Sequence, residues 1–292
     1  MGVIEAIILG LVQGLTEFLP ISSSGHVYLV PALFGWDDAG SGFTAVIQLG
    51  TLLAVFLYFW KDLTSILGGW AKGLRDSSAR GTQEWKLAWG IIAGSVPIAI
   101  VGLTLEKQID TAFRSPFVVA GTLAFFGILM GVADLKGKRS KTLEDFQVKD
   151  GAIMGLWQCL ALIPGSSRSG CTITGGLFGG FDRAVAARVS FLLSVPSVLA
   201  SGLYKLIKER DVLLSEGLAP TAIATGVAFI SGWIAIAFLM KFLQTKSTMV
   251  FVVYRLVLAA AIIVLVTQGI VEFETTEVAQ SIDVVRQLIV LR

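Results

Sequence analysis

Long apolar runs separated by short polar connections dominate the chain. A membrane-spanning helix needs about 20 mostly apolar residues, and six runs of this kind occur, at residues 43–60, 87–105, 117–134, 189–207, 219–240 and 250–269. Each run is predicted to form one transmembrane helix. The pattern therefore predicts an all-α polytopic membrane protein.

Two further apolar runs, at residues 3–34 and 151–180, are broken near their centres. Each break combines a proline with a cluster of serines and glycines, and it leaves arms of about 10 to 17 residues. Arms this short do not cross a bilayer. We expect each run to form a re-entrant helical hairpin, with its turn near the middle of the membrane.

The two hairpins begin two similar halves of the chain. The segment GLVQGLTEFLPISSSG, Gly10 to Gly25, resembles GLWQCLALIPGSSRSG, Gly155 to Gly170, when one residue is dropped before the proline. A chance resemblance between two Ser/Gly turns is the alternative. Because three spans, an odd number, follow each hairpin, the second copy is predicted to be inverted. We expect a single integral membrane domain over residues 1–292, with repeat 1 at about 1–135, repeat 2 at about 150–270 and a tail at about 271–292.

Composition and charge agree with this architecture. Hydrophobic residues make up 54% of the 292 residues and charged residues 15%, compared with about 25% charged residues in soluble domains. A net charge of +2, without a basic run interleaved with aromatics, argues against nucleic-acid binding. Basic residues concentrate in the connections 61–86 and 135–150, which are predicted to be cytoplasmic. Cys159 and Cys171 lack the spacing of a zinc site and are predicted to serve packing.

The first hairpin contains polar residues that a membrane segment does not need. Ionisable side chains are costly inside a membrane and mark functional sites, and this hairpin has Glu17 and the chain's single histidine, His26. Gln13 lies one turn before Glu17 on the same helix face. A structural role is the alternative for both ionisable groups: an ion pair with an arginine for Glu17, and a hydrogen bond to a carbonyl for His26.

Three consecutive serines precede the second arm of this hairpin: Ser22, Ser23 and Ser24. Serine is favoured as a helix N-cap, so capping alone explains at least one of them. Capping does not require three hydroxyls beside a histidine, however. A serine near a histidine is the arrangement of an activated oxygen nucleophile.

The second turn places hydroxyls around an arginine. In PGSSRSG, Ser167 and Ser169 flank Arg168 just before a predicted helix, whose N-terminus attracts anions through its dipole and its unpaired N–H groups. If the two turns meet, a phosphate group is the expected guest, and a phosphate ester with a lipid remainder could approach from the bilayer. A capped turn with Arg168 paired to Glu17 is the alternative.

At these two motifs the chain resembles the undecaprenyl-pyrophosphate phosphatase family, also called the bacitracin-resistance proteins. The family's Glu/Gln-x3-Glu pattern is matched by Gln13 and Glu17, its Ser-Ser-x-Gly-His run by Ser22 to His26, and its Pro-Gly-x-Ser-Arg-Ser-x-x-Thr run by Pro164 to Thr172. The resemblance covers nearly the whole chain. It implies hydrolysis of undecaprenyl pyrophosphate to undecaprenyl phosphate and inorganic phosphate, at the outer face of the bacterial cytoplasmic membrane. This reaction recycles the carrier lipid of cell-wall synthesis and confers bacitracin resistance.

The resemblance also implies a role for each matched residue. By this resemblance, Ser23 is expected to be the nucleophile, and His26 is expected to be its base or the acid that protonates the leaving group. Glu17 is expected to be a second acid/base or a metal-linked group. Arg168 is expected to bind the pyrophosphate of the substrate. Further substrate contacts are expected from Ser167, Ser169, Thr172, Ser22, Ser24 and Gln13. A divalent cation, Mg or Ca, is the expected cofactor, with no organic cofactor. The metal ligands are unknown apart from Glu17 as a candidate, because many members have Glu at the position of Gln13.

Several alternatives stay open at this stage. Inverted repeats with broken helices are also a transporter architecture, so a transporter or flippase for a lipid phosphate or another anion is the competing function. Serine, histidine and water are all open as the attacking group. The expected partners are the lipid substrate, membrane lipids and a second copy in a homodimer. Arg255, about one turn inside the sixth span, is expected to snorkel to the cytoplasmic interface rather than to contact lipid phosphate.

Overall fold

The computed structural model describes residues 1–37, 40–105, 115–208 and 218–271. These residues form α-helices with two short 3-10 turns, at Ser77–Gly81 and Leu160–Leu162. In chain order the helices are α1 Val3–Phe18, α2 Ser23–Phe34, α3 Gly40–Tyr58, α4 Trp60–Arg75, α5 Gln83–Thr104, α6 Pro116–Lys136, α7 Val148–Cys159, α8 Arg168–Phe178, α9 Arg183–Lys208, α10 Leu218–Phe242 and α11 Met249–Thr267.

Each of the six predicted spans coincides with a long helix, apart from one or two residues at the C-terminal end of three of them. In the part of the chain that the structure describes, five helices, α5, α6, α9, α10 and α11, are long and apolar enough to cross a membrane on their own. The helix α3 meets the same test as one half of a pair with α4, from which it is separated by a bend of 76°. The prediction of an all-α polytopic membrane protein is therefore confirmed.

The connection 61–86, predicted as a polar loop, is largely helical. The helix α4 occupies its first half, with Lys61, Lys72 and Arg75 among its polar positions. Its buried residues Ile66 and Gly73 recur seven positions apart, at the helical repeat. With 16 residues the helix is too short to span a hydrocarbon core by itself. Its polar and apolar positions lie on different faces, a pattern typical of a helix that lies along the membrane surface.

The two broken runs fold back on themselves, with α1 packed on α2 and α7 packed on α8. The longest of these arms, α1, has 16 residues, or about 24 Å of helix, which is less than the roughly 30 Å of a hydrocarbon core. Phe18 packs edge-on against Phe191 of α9, with ring centroids 5.3 Å apart. This contact fixes the inner end of α1, next to Glu17.

Each hairpin is seated on the other half of the chain. The arm α1 packs along α10, and its counterpart α7 packs along α5, the equivalent helix of the first half. Both contacts are very close: a Cβ atom on Gly10 would lie 2.4 Å from the carbonyl oxygen of Ala224, and one on Gly155 would lie 2.2 Å from that of Gly94. Two further pairs, α3 with α9 and α6 with α11, join equivalent helices of the two halves.

The structural correspondence between the hairpins needs no dropped residue. Gln13 and Gln158 are both fully buried, and the same number of residues separates them from Ser22 and Ser167, which cap the second arms. The dropped residue in the sequence alignment arose because Pro20 and Pro164 differ by one position relative to these caps. The boundaries of the repeats, at about residues 135 and 150, stay a prediction.

Candidate active site

The second arm of each hairpin begins at a serine with an unusual backbone. Ser22 has φ of 75° and Ser167 has φ of 71°, a left-handed region that few residues other than glycine adopt. The Ser22 hydroxyl accepts a hydrogen bond from the N–H of Gly25 at 3.3 Å, and the Ser167 hydroxyl accepts one from the N–H of Gly170 at 3.1 Å. Such strained conformations cluster at functional sites.

The two turns meet, which is the condition on which the expected phosphate site depends. The hydroxyl of Ser24, in the first turn, accepts a hydrogen bond from the N–H of Gly165 in the second turn, at 3.1 Å. The hydroxyl of Ser169, in the second turn, donates to the carbonyl of Leu19 in the first turn, at 3.2 Å. The starts of α2 and α8, with their unpaired N–H groups, therefore lie side by side.

Glu17 joins the polar groups of both turns. One carboxylate oxygen, Oε2, accepts hydrogen bonds from Gln13 Nε2 and Ser23 Oγ, both at 2.8 Å. The other oxygen pairs with the guanidinium of Arg168. The ion pair considered at the sequence level is thus present. The Arg168 side chain stays 18% exposed, and a guanidinium has further N–H donors besides the one that pairs with Glu17.

His26 is hydrogen-bonded at both ring nitrogens. Its Nδ1 lies 2.7 Å from the carbonyl oxygen of Ser22, so this nitrogen has the proton and donates. Its Nε2 then accepts from the hydroxyl of Tyr254, at 2.6 Å. Ser23 Oγ donates to Glu17 instead of His26, which places a carboxylate where the sequence analysis expected the imidazole.

The other residues that were predicted to contact the substrate lie in different environments. The hydroxyls of Ser22 and Ser167 are engaged in capping. Thr172 is fully buried, with its hydroxyl bonded to the Arg168 carbonyl at 2.8 Å and paired with Ser190, so it supports α8. Gln13 is also fully buried, and its Oε1 has no hydrogen-bond partner.

Arg255 does not snorkel to an interface, so that expectation is wrong. Its side chain is fully buried and donates to five backbone carbonyls, those of Pro20, Thr122, Leu123, Gly165 and Ser166, at 2.9 to 3.4 Å. The physical reason is that tight turns leave carbonyls without partners, which in a membrane must be satisfied within the protein. Arg255 satisfies carbonyls of both turns and ties them to α6.

Sequence reasoning missed Tyr254 as part of the site, and it assigned Arg255 to the wrong environment. The two residues are adjacent in α11, a helix of otherwise apolar residues. A tyrosine next to an intramembrane arginine was the available signal. The thiols of the two cysteines are free, and each donates to a backbone carbonyl.

The residues of the site do not by themselves form a cation site. In the four described ranges, no three His, Cys, Asp or Glu side chains lie close enough together to hold a metal ion. Arg168, Gln13 and Ser23 already engage both oxygens of Glu17. Hard cations take about six to eight oxygen ligands, and the carboxylate of Glu17 with the free Oε1 of Gln13 supplies too few.

The chain is similar in sequence to a known protein family and to named relatives in bacteria. A family model described as bacitracin resistance protein BacA matches residues 6–261. A protein of Myxococcus xanthus, named undecaprenyl-diphosphatase, is 48% identical over 273 residues, which is 92% of this chain and 91% of that protein. A protein of the same name from Thermobifida fusca is 49% identical over 277 residues, 94% of each chain. The resemblance noted in the motifs therefore extends over nearly the whole sequence.

Proposed function

Because the chain belongs to the bacitracin resistance protein BacA family, we propose that it is an undecaprenyl-diphosphatase. It hydrolyses undecaprenyl pyrophosphate to undecaprenyl phosphate and inorganic phosphate, and so recycles the carrier lipid of cell-wall synthesis. The observation that carries the proposal is the meeting of two helix N-termini around Arg168, Glu17 and Ser23. The names of relatives that share about half of its residues support the same conclusion.

The pyrophosphate binds at the paired starts of α2 and α8. Helix N-termini attract anions through their dipoles and unpaired N–H groups, and the guanidinium of Arg168 adds a full positive charge. Phosphoryl transfer depends mainly on positioning and on stabilising charge. When the substrate binds, the guanidinium of Arg168 exchanges part of its hydrogen bonding to Glu17 for hydrogen bonds to the pyrophosphate. This exchange frees the Glu17 carboxylate for proton transfer.

Ser23 attacks the terminal phosphorus of the substrate. Its hydroxyl already donates to Glu17 Oε2 at 2.8 Å, so the carboxylate takes the proton as the new Ser23 O–P bond forms. The anhydride P–O bond breaks, and the lipid monophosphate leaves with the bonding electron pair. A water molecule then attacks the phosphoserine, the Ser23 O–P bond breaks, inorganic phosphate leaves, and the proton held by Glu17 returns to Ser23 Oγ. His26, whose Nε2 has no proton, is the base available for that second step.

The test is release of inorganic phosphate from undecaprenyl pyrophosphate by the purified protein in detergent. Turnover with accumulation of the lipid monophosphate is the expected result. A transporter or flippase without hydrolytic activity would bind the lipid and release no phosphate. Samples quenched during turnover and analysed by mass spectrometry should contain phosphoserine at Ser23, whereas phosphohistidine at His26 would exchange the two roles.

Two expected partners stay predictions at this point. A divalent cation, Mg or Ca, would have to enter with the pyrophosphate, whose oxygens would complete its ligands beside Glu17. Loss of activity after treatment with a chelator, and its recovery on adding either ion alone, tests this. A homodimer is tested by crosslinking in native membranes, where a single monomeric band would exclude it.

We also propose that the chain lies in the bacterial cytoplasmic membrane, with its active site open to the outer side. The positive connections support a cytoplasmic position for residues 61–86 and 135–150. In a protein without native cysteines, single cysteines at Lys72 and Lys141 should be shielded from an impermeant thiol reagent in intact cells. Cysteines at Ala112 and Leu214, two positions outside the described residues, should react. Equal labelling at all four positions would refute the inverted topology.

A further inference from the structure

Tyr254 shields one edge of His26 from the surroundings of the protein. Its hydroxyl lies 2.6 Å from His26 Nε2, and the two rings are nearly parallel, with an interplanar angle of 11° and centroids 5.6 Å apart. Tyr254 is 43% exposed, whereas His26 is only 8% exposed. The tyrosine is therefore the outer member of the pair, and the imidazole lies behind it.

The contact determines the state of the imidazole. Because Nδ1 donates to the Ser22 carbonyl, Nε2 has a lone pair, and the phenol hydroxyl donates into it. Two hydrogen bonds on opposite sides of a ring fix both its rotation and its tautomer. An unprotonated Nε2 is the form that a general base requires, and the Tyr254 hydroxyl has to turn its hydrogen away from this lone pair before the imidazole takes a proton.

The backbone that bears Tyr254 is itself held in place. Arg255, the next residue, donates to the carbonyls of Pro20 and Gly165, one in each turn. The Pro20 carbonyl lies close in sequence to Ser22, the Nδ1 partner of His26. The position of Tyr254 relative to His26 is thus fixed by a buried network that includes both turns.

We infer that Tyr254 is a positioning residue of the active site, whose hydroxyl keeps His26 Nε2 unprotonated and the imidazole oriented for its reaction. The catalytic part of this inference rests on the proposed phosphatase function. The structural part rests on the contacts of His26 alone. Two experiments test the two parts separately.

The first experiment observes His26 directly. The chain has one histidine, so protein labelled with [15N]histidine and purified without a histidine tag gives the two nitrogen signals of this residue alone. In Tyr254→Phe the Nε2 signal should move, because this acceptor has lost its donor, while the Nδ1 signal should stay near its wild-type position. Tyr58→Phe, which removes the hydroxyl of a half-buried tyrosine on α3, is the matched control and should move neither signal. An unchanged Nε2 signal in Tyr254→Phe would overturn the inference.

The second experiment measures hydrolysis. Tyr254→Phe should lower kcat about tenfold, the effect of losing one hydrogen bond in the transition state, and should leave KM nearly unchanged. In a His26→Ala background, Tyr254→Phe should cause no further loss, because residues that act as a unit are not additive. An equal loss in both backgrounds would show that Tyr254 acts by another route. If the wild-type protein released no phosphate, the proposed function would fail, and the nitrogen signals would still decide the contact between Tyr254 and His26.

Discussion

The two re-entrant turns share one backbone design and differ in chemistry. Both begin a helix at a serine in the left-handed region, and in both the cap hydroxyl lies near a second serine hydroxyl two residues later. The residue after the cap is Ser23 in the first turn and Arg168 in the second. The comparison indicates that duplication supplied two facing helix N-termini, and that the side chains then diverged into a nucleophile on one side and a cation on the other.

The divergence extends along both hairpins. The position of His26 is occupied in the second turn by Cys171, which is fully buried and donates to the Ser166 carbonyl. The position of Glu17 is occupied by Leu162. Close to the two turns, therefore, only the first hairpin has a carboxylate or an imidazole that can accept a proton. The second contributes positive charge and backbone support. Substitutions in the two turns are therefore predicted to differ in their effects on hydrolysis, and matching substitutions of the backbone caps are predicted to have equal effects on stability.

The largest effect is expected at the cation of the second turn. Arg168→Ala should reduce hydrolysis about 10³-fold or more, the range found for arginines that stabilise phosphoryl transfer. Arg168→Lys should recover part of the activity, since Lys keeps the charge and loses the bidentate geometry. Elution of the alanine variant as wild type in gel filtration is the control for folding. Activity near the wild-type level in Arg168→Ala would remove this residue from the site.

The nucleophile of the first turn is tested by combining substitutions. Ser23→Ala and Glu17→Gln should each lower kcat about 10² to 10⁴-fold, the usual contribution of a proton-transfer pair. The double variant should lose little more than either single one, because the hydroxyl and the carboxylate act together. Kinetics of phosphate release provide the measurement. Substantial activity in Ser23→Ala would instead favour attack by His26 or by water.

Arg255 offers a test of what the two turns have in common. Arg255→Leu leaves five carbonyls without their donor, and each buried polar group that loses its partner costs about 1 to 3 kcal/mol, so thermal unfolding in detergent should occur at a much lower temperature. Arg188→Leu is the matched control: Arg188 pairs with Asp62 but its side chain is 37% exposed, and exposed ion pairs contribute about 0 to 1 kcal/mol. Equal shifts in both variants would contradict a central role for Arg255.

A smaller effect, equal in both turns, is expected at the caps. Ser22→Ala and Ser167→Ala should each destabilise the protein by about 1 kcal/mol, the usual value of a serine cap. Glycine at either position should cost less, since it adopts a positive φ without strain. Unfolding temperatures of the four variants make the comparison. A large loss in one turn with none in the other would show that the two backbones are not equivalent in stability.

The sequence predicted the parts of the fold that depend on local composition. Apolar runs located the six spans, and the breaks at Pro20 and Pro164 located the hairpins. The bend before Trp60 and the helix α4 were missed, because α4 has too many charges for a span and gains its stability from packing on α5.

The site was predicted less completely, for a related reason. Its motifs are local in sequence, so Glu17, Ser23, His26 and Arg168 could be found there. The partners that orient them are distant: Tyr254 lies 228 residues from His26. Thr172 matched a motif, yet its hydroxyl is engaged within the bundle. No spacing rule reveals which face of a helix meets which neighbour across the chain.

The glycine contacts of the hairpins have a mechanical consequence. Because Gly10 touches the backbone of α10 and Gly155 that of α5, each arm is wedged against a full-length span with no intervening side chain to compress. A bilayer that thins or thickens changes the tilt of spanning helices, but it changes little in a short arm whose backbone rests directly on that of a neighbouring helix. The reacting phosphorus is therefore held at a depth set by steric contact. Hydrolysis should therefore proceed at similar rates in vesicles made of lipids with shorter or longer acyl chains, because the depth of the reacting phosphorus does not depend on the thickness of the bilayer.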